Sequence, residues 1–158
     1  MKNIILLFLL ICPAFAQNVK PTGAWLPMQV KWEHAPPSIN PRLQTGTTTV
    51  LYFGEHGHFA VIDCVVNREP GRYTTVSKGG GQNIWLGEWD GRLPGQVKYR
   101  LVSRTIPLTR ETLPGSWHRQ TLASAPRDRL LFKGKLYRRV EDLDLNVREL
   151  LHGSSITQ

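Results

Sequence analysis

Cysteine is nearly absent from this chain: two in 158 residues, Cys12 and Cys64. Cys12 falls in an N-terminal stretch with the features of a removable leader, so Cys64 has no partner for an intrachain disulfide. Its setting, Ile62-Asp63-Cys64-Val65-Val66, has the character of a strand interior, where a free thiol is commonly a small buried hydrophobe. Long apolar runs are also missing. Beyond residue 16 none reaches the ~18 residues that a membrane helix needs. Acids are scarce, 12 Asp and Glu against 20 Lys and Arg, which leaves a formal net charge of +8. No Walker loop, CxxC pair, HExxH or GxSxG occurs, and no internal repeat is visible. What is present excludes wholesale disorder: 41% of residues are hydrophobic and five are Trp. The length fits one domain with a sizeable core.

The N-terminus divides into a basic start, Met1-Lys2-Asn3, an apolar run from Ile4 to Ile11, and Ala14-Phe15-Ala16. Small residues at the last and third-last positions mark a signal-peptidase site, so cleavage is expected between Ala16 and Gln17. The apolar run is too short for an anchor and ends near Pro13. Cys12 follows Ile11 rather than a small residue, which argues against lipidation. The expected destination is the periplasm or the cell exterior. The expected organisation is a signal peptide over 1–16, a lead-in over 17–22, one domain over 23–152 and a flexible tail over 153–158.

After the leader the hydrophobic period is two. Leu26, Met28, Val30 and Trp32 alternate with Pro27, Gln29 and Lys31, and Pro27 suggests an edge or a bulge. A Pro-containing loop is expected from His34 to Gly46. Further strands are expected over Thr47–Phe53, His58–Asn67, Arg72–Ser77, Asn83–Trp89, Gln96–Ile106, Ser116–Leu122, Asp128–Phe132 and Leu136–Val140, with a loop over Pro107–Gly115. On His58–Asn67 the apolar Ala60, Ile62, Cys64 and Val66 oppose Asp63, so the even face is expected to point inward. The period then changes: Leu143, Val147, Leu150 and Leu151 form one helical stripe. Acids crowd its start and Gly153 is the expected stop, giving a helix near Asp142–His152. Short strands separated by turns read as an all-β fold, an antiparallel up-and-down barrel of eight or nine strands with one C-terminal helix.

Gly23-Ala24-Trp25 at the first strand resembles the GxW pattern of lipocalins and the wider calycin group. A second GxW, Gly87-Glu88-Trp89, preceded by a Phe53-to-Gly57 hairpin, resembles bacterial lipocalin-like proteins of unknown function. The resemblance implies that Gly23 and Trp25 help close one barrel end, that Arg138 or Arg139 from a late strand packs over the Trp, and that an apolar ligand lies inside the barrel.

Several clusters are candidate sites. Strand parity places Trp85, Gly87 and Trp89 on one face, and Val97, Tyr99 and Leu101 on the face of the next strand opposite Lys98, Arg100 and Arg104. The bases must seek water, so the Val97 face is expected inside. A pocket is expected near Trp85, Gly87, Trp89, Tyr99 and Leu101, with Phe53 and Ile62 contributing. Gly87 between two indoles would leave space for an apolar or amphipathic ligand. Trp25, Trp32 and Trp117 are further aromatics that either line such a cavity or fill the barrel. Lys98, Arg100 and Arg104 form the expected basic face, within a segment where eleven bases between Lys98 and Arg139 meet only Glu111 and Asp128. Such a face either docks an anionic envelope polymer or is a solvated surface. Glu55, His56 and His58 have ligand chemistry, but their spacing makes a turn the better reading, and no metal or cofactor is expected. Ser116, His118 and Asp128 form a Ser/His/Asp set without a nucleophile elbow, and Asp63, Glu88 and Asp90 offer carboxylates without a pairing. A binding protein is therefore expected over an enzyme, and nucleic acid is a poor partner for an exported chain.

Overall fold

A computed structural model describes residues 21–36, 40–69, 71, 74–77, 82–93, 95–106, 109–122 and 128–155. The expected leader lies outside the described residues. The elements are β1 (Gly23–Pro27), β2 (Glu33–His34), β3 (Gln44–Phe53), a 3-10 turn (Glu55–Gly57), β4 (His58–Arg68), β5 (Thr74–Val76), β6 (Asn83–Asp90), β7 (Gln96–Ile106), β8 (Thr109–Thr112), β9 (His118–Thr121), β10 (Arg129–Phe132), β11 (Lys135–Arg139) and α1 (Glu141–Ser155). The protein is a mostly antiparallel β structure with one C-terminal helix. Eleven described strands form one sheet in the order β10-β11-β1-β3-β4-β6-β7-β8; β2 joins β3, β5 joins β4 and β9 joins β7.

The expected barrel is not formed: the sheet stays open, with no pairing of β10 to β8 or β9 among the described residues. Its two ends nevertheless approach through side chains. Phe132 of β10 packs 5.1 Å from Tyr99 of β7 and 6.1 Å from Phe59 of β4, measured between ring centroids. The sheet is thus strongly curved, as twist and coiling of long antiparallel strands allow.

Both faces of the central strands are buried, which is why β3 ends in the unbroken apolar run Val50-Leu51-Tyr52-Phe53. The concave face carries Trp25, Leu51, Phe53, Phe59, Val97, Tyr99, Leu130, Phe132 and Tyr137. The other face carries Ala24, Leu26, Val50, Tyr52, Ala60, Ile62, Cys64 and Ile84, and it is covered by Val140, Leu143 and Val147 at and within the helix. The even face of β4 therefore meets the helix rather than the concave interior. Helix α1 packs on β1 and β5. It starts with Glu141, Asp142 and Asp144 in its first turn, where the dipole favours acids, and Asn146 Nδ2 donates to the Asp142 carbonyl at 2.8 Å. It runs through Gly153 to Ser155, past the expected stop.

Boundaries moved where proline or pairing decided them. β1 ends at Pro27, and only the Met28 N–H continues the ladder, donating to the Leu136 carbonyl at 2.9 Å. β3 begins at Gln44, because β2 and the far end of β4 supply partners there. The expected loop over Pro107–Gly115 contains β8, which pairs with the second half of β7. The β10–β11 hairpin turns through Lys133 (φ 48°) and Gly134 (φ 74°), the left-handed pair that a two-residue turn requires.

A β-bulge changes the reading of β7. Pairing runs Trp89 to Tyr99, Glu88 to Arg100 and Gly87 to Leu101, then skips Val102, so that Leu86 faces Ser103 and Trp85 faces Arg104. An extra residue reverses which face each later side chain takes. Lys98 and Arg100 share the helix-side face, but Arg104 lies on the opposite, Trp85 face. The three-base face expected from strict alternation is therefore not formed.

Candidate functional site

The β3–β4 connection is built from Gly54-Glu55-His56-Gly57. The Gly54 N–H donates to the His58 carbonyl at 2.7 Å, closing a tight turn. Within it His56 takes φ 62°, a left-handed conformation sparsely used by non-glycine residues and enriched at functional turns. This turn lies beside the second half of α1, and a cavity of about 450 Å³ opens between them on the helix-side face. That volume falls in the ~300–1,000 Å³ range of small-molecule sites.

The cavity has two kinds of wall. Ala60, Leu86 and Leu151 supply apolar surface, while Phe59 borders the cavity with its ring turned to the concave face. Arg148, Tyr52, Glu55, His56, His58 and His152 supply polar groups. Arg148 is central. Its Nε donates to the Tyr52 hydroxyl at 3.1 Å, and its Nη2 lies 3.1 Å from Asp144, one helical turn earlier, and 3.7 Å from Glu55. The Tyr52 hydroxyl, followed by the Asp144 carboxylate, pushes the Arg148 pKa above the ordinary arginine value. The guanidinium is thus held at the edge of an apolar recess that His56, His58 and His152 also line. The site can hold a molecule with an anionic end and an apolar body. Among the described residues no group of three or more His, Cys, Asp or Glu is placed to hold a metal ion.

The expected concave-face pocket has a different character. Trp89, Tyr99, Leu101 and Phe53 do come together on that face. They meet as packed rings: Phe53 is 5.6 Å from Trp89 edge-on and 4.8 Å from Phe59, and Tyr99 is 5.2 Å from Phe59. The Trp89 Nε1–H donates to the Gly54 carbonyl at 2.9 Å, so the second GxW strand is bolted to the hairpin that precedes it. Trp85 lies further along, under the Arg104 guanidinium at 5.0 Å. Ile62 is fully buried on the opposite face, against the helix, and does not join Phe53. Gly87 does not leave open space. A Cβ there would collide with the Arg100 carbonyl oxygen, because the bulge brings the β7 backbone against it.

At the first GxW, Trp25 is buried and its Nε1–H donates to the Pro21 carbonyl at 2.7 Å. Arg139 is its direct partner on β11, and the Arg139 guanidinium lies so close to Gly23 that a Cβ there would come within 3.2 Å of it. Arg138 pairs with Leu26 instead, on the other face. Of the basic face, Lys98 stands opposite Asp90 and Arg100 opposite Glu88, with Arg100 donating to Glu88 Oε2 at 2.8 and 3.0 Å. Ser116, His118 and Asp128 are exposed and share no hydrogen bond among the described residues; the His118 ring lies 5.4 Å from Tyr99. Asp63 accepts from the Thr49 hydroxyl at 2.7 Å. Cys64 is buried and free, and burial, aided by Asp63, pushes its pKa up to about 12, so the thiol is protonated and unreactive.

The residues that sequence reasoning missed are Arg148, His152 and Tyr52. Arg148 lies four residues after Asp144 on the flank of the apolar helix stripe. That spacing marks an ion pair, but not what the pair faces. No helix among the described residues is long and apolar enough to cross a membrane. The chain matches no known family, curated protein or solved structure.

Proposed function

We propose that the protein is an exported, lipocalin-like binding protein for a small amphipathic molecule with an anionic headgroup. The carrying observation is the cavity itself: Arg148, fixed by Tyr52 and Asp144, stands at the edge of a recess walled by Ala60, Leu86 and Leu151. Apolar walls supply the burial energy, about 25 cal/mol per Å² removed from water, and a placed cation supplies orientation. The GxW strand supports a binding role by analogy only. The ligand sits in this reading between sheet and helix, not within a barrel. Export rests on the Ala14-Phe15-Ala16 leader.

Titration of the protein with dodecanoate tests this. Saturable binding is expected, weakened about tenfold in Arg148→Gln, a loss of ~1.4 kcal/mol. Dodecyltrimethylammonium, with the same tail and the opposite charge, should bind no better to the wild type than dodecanoate binds to Arg148→Gln. Leu86→Trp should block dodecanoate by filling the recess. A wild type that takes up neither amphiphile, or takes both equally, ends this reading.

A further inference from the structure

We propose that the groove between the β6–β7 turn and Trp117 is a separate site, and that it takes an acidic oligosaccharide. It does not depend on the cavity beside α1. The groove measures about 470 Å³, and Lys98, Arg119, Trp117, Asp90 and Arg92 line it. A second hollow of about 220 Å³ shares Asp90, Arg92 and Lys98 and extends it past Gln96. Together they give room for more than one sugar ring.

Charge is the first argument. Lys98 on β7 and Arg119 on β9 are direct cross-strand partners, so their side chains leave the same face side by side. Like charges in that position repel. Among the described residues neither has a carboxylate within ion-pair distance. Asp90 opposes Lys98 from β6, but its carboxylate is engaged by Arg92, with Nη2 to Oδ2 at 2.6 Å and Nε at 2.9 and 3.0 Å. The groove therefore carries two cations whose repulsion an anion would relieve.

The second argument is Trp117. It is 49% exposed, although large apolar side chains normally find cover. It is not left loose: the Arg100 guanidinium lies 5.0 Å over its ring, and Arg100 is itself held by two hydrogen bonds to Glu88. Glu88, Arg100 and Trp117 thus form a braced row that fixes the indole beside the two cations. A flat, oriented aromatic is a platform for the C–H face of a pyranose ring, and Lys98 and Arg119 border the same groove, where they can meet a sugar carboxylate.

The same surface disfavours nucleic acid. Glu88 and Asp90 sit in the same rows as the bases. A local surplus of two cations suits a glycan with one carboxylate per sugar better than a backbone charged at every nucleotide.

The test is a titration of the full chain with a hexamer of galacturonic acid at low salt, followed by Trp fluorescence and calorimetry. Saturable binding is expected, weakened at least ~tenfold in Trp117→Ala and again in the double variant Lys98→Gln/Arg119→Gln. Salt should weaken it, since exposed charges are screened within ~10 Å at moderate ionic strength. Arg148→Gln should leave it unchanged, which separates this site from the cavity. Trp117 and Arg119 are exposed and Lys98 is half-buried, and matching thermal melts would confirm that both variants fold. Absence of binding, equal binding of a neutral xylohexaose, or tighter binding of a thymidine hexanucleotide would each overturn the proposal.

Discussion

Gly87 and Cys64 show how single residues are fixed by their surroundings. Gly87 is required because the β7 bulge brings the Arg100 carbonyl to the position a Cβ would occupy. Gly87→Ala should therefore destabilise the protein by at least ~1–3 kcal/mol, the range for forced overpacking, and a chemical-denaturation curve would measure it. Cys64 gives a pH signature. Its pKa is raised from 9.0 to about 12, so the unfolded chain loses its proton at lower pH than the folded one. Stability from this group is present below pH 9 and is lost as pH rises toward 12. Tyr137 shifts in the same direction, through burial and then Asp63. Denaturation midpoints should fall over that alkaline window, and less steeply in Cys64→Ala. At neutral pH a thiol reagent should not label the folded protein.

At the scale of elements, α1 is the second layer of the domain. Leu143 and Val147 are fully buried against the sheet, whereas Leu145, two positions off the stripe, is 66% exposed. Leu143→Ala should cost about 2–5 kcal/mol, and Leu145→Ala should sit within about 0.5 kcal/mol of wild type; thermal melts of the pair would check it. The helix also carries Arg148 and His152 to the cavity, so the element that completes the core completes the candidate site. The helix was legible in the sequence because its 3.6-residue period differs from the alternation before it. Its contribution to the site was not, because a period tells which residues face the core and not which strand they face.

For the whole molecule, the curved sheet places an aromatic cluster where a closed barrel was expected. Phe132 joins the two ends of the sheet through Tyr99 and Phe59. Phe132→Ala should cost about 3–5 kcal/mol by large-to-small truncation. It should loosen β7 and β10–β11 together, seen as faster amide exchange in both relative to α1. The two proposed sites, the helix-side cavity and the Trp117 groove, share no lining residue, so filling one should leave the other's affinity unchanged.

The sequence by itself determined the class of fold. Alternation in Gln96–Ile106, the β-branched run into Phe53, the turn chemistry at Lys133-Gly134 and the stripe from Leu143 to Leu151 each follow from local geometry. Parity placed Trp85 with Trp89 and Val97 with Tyr99 within their own strands, and the register between strands then brought Phe53, Trp89 and Tyr99 onto one face. Tertiary structure decided the rest. One unpaired residue, Val102, moved Arg104 away from Lys98 and Arg100, and no alternation pattern reveals a bulge that depends on its partner strand. Ile62 and Cys64 were recognisably buried, but a strand covered on both sides has no single inward face. Only the helix lying on the even face settles which layer they join. Arg148 meets Tyr52 across 96 positions of chain. Contacts at that separation are set by how the layers dock, because docking is driven by non-directional burial of apolar surface and carries polar side chains wherever the packed faces place them.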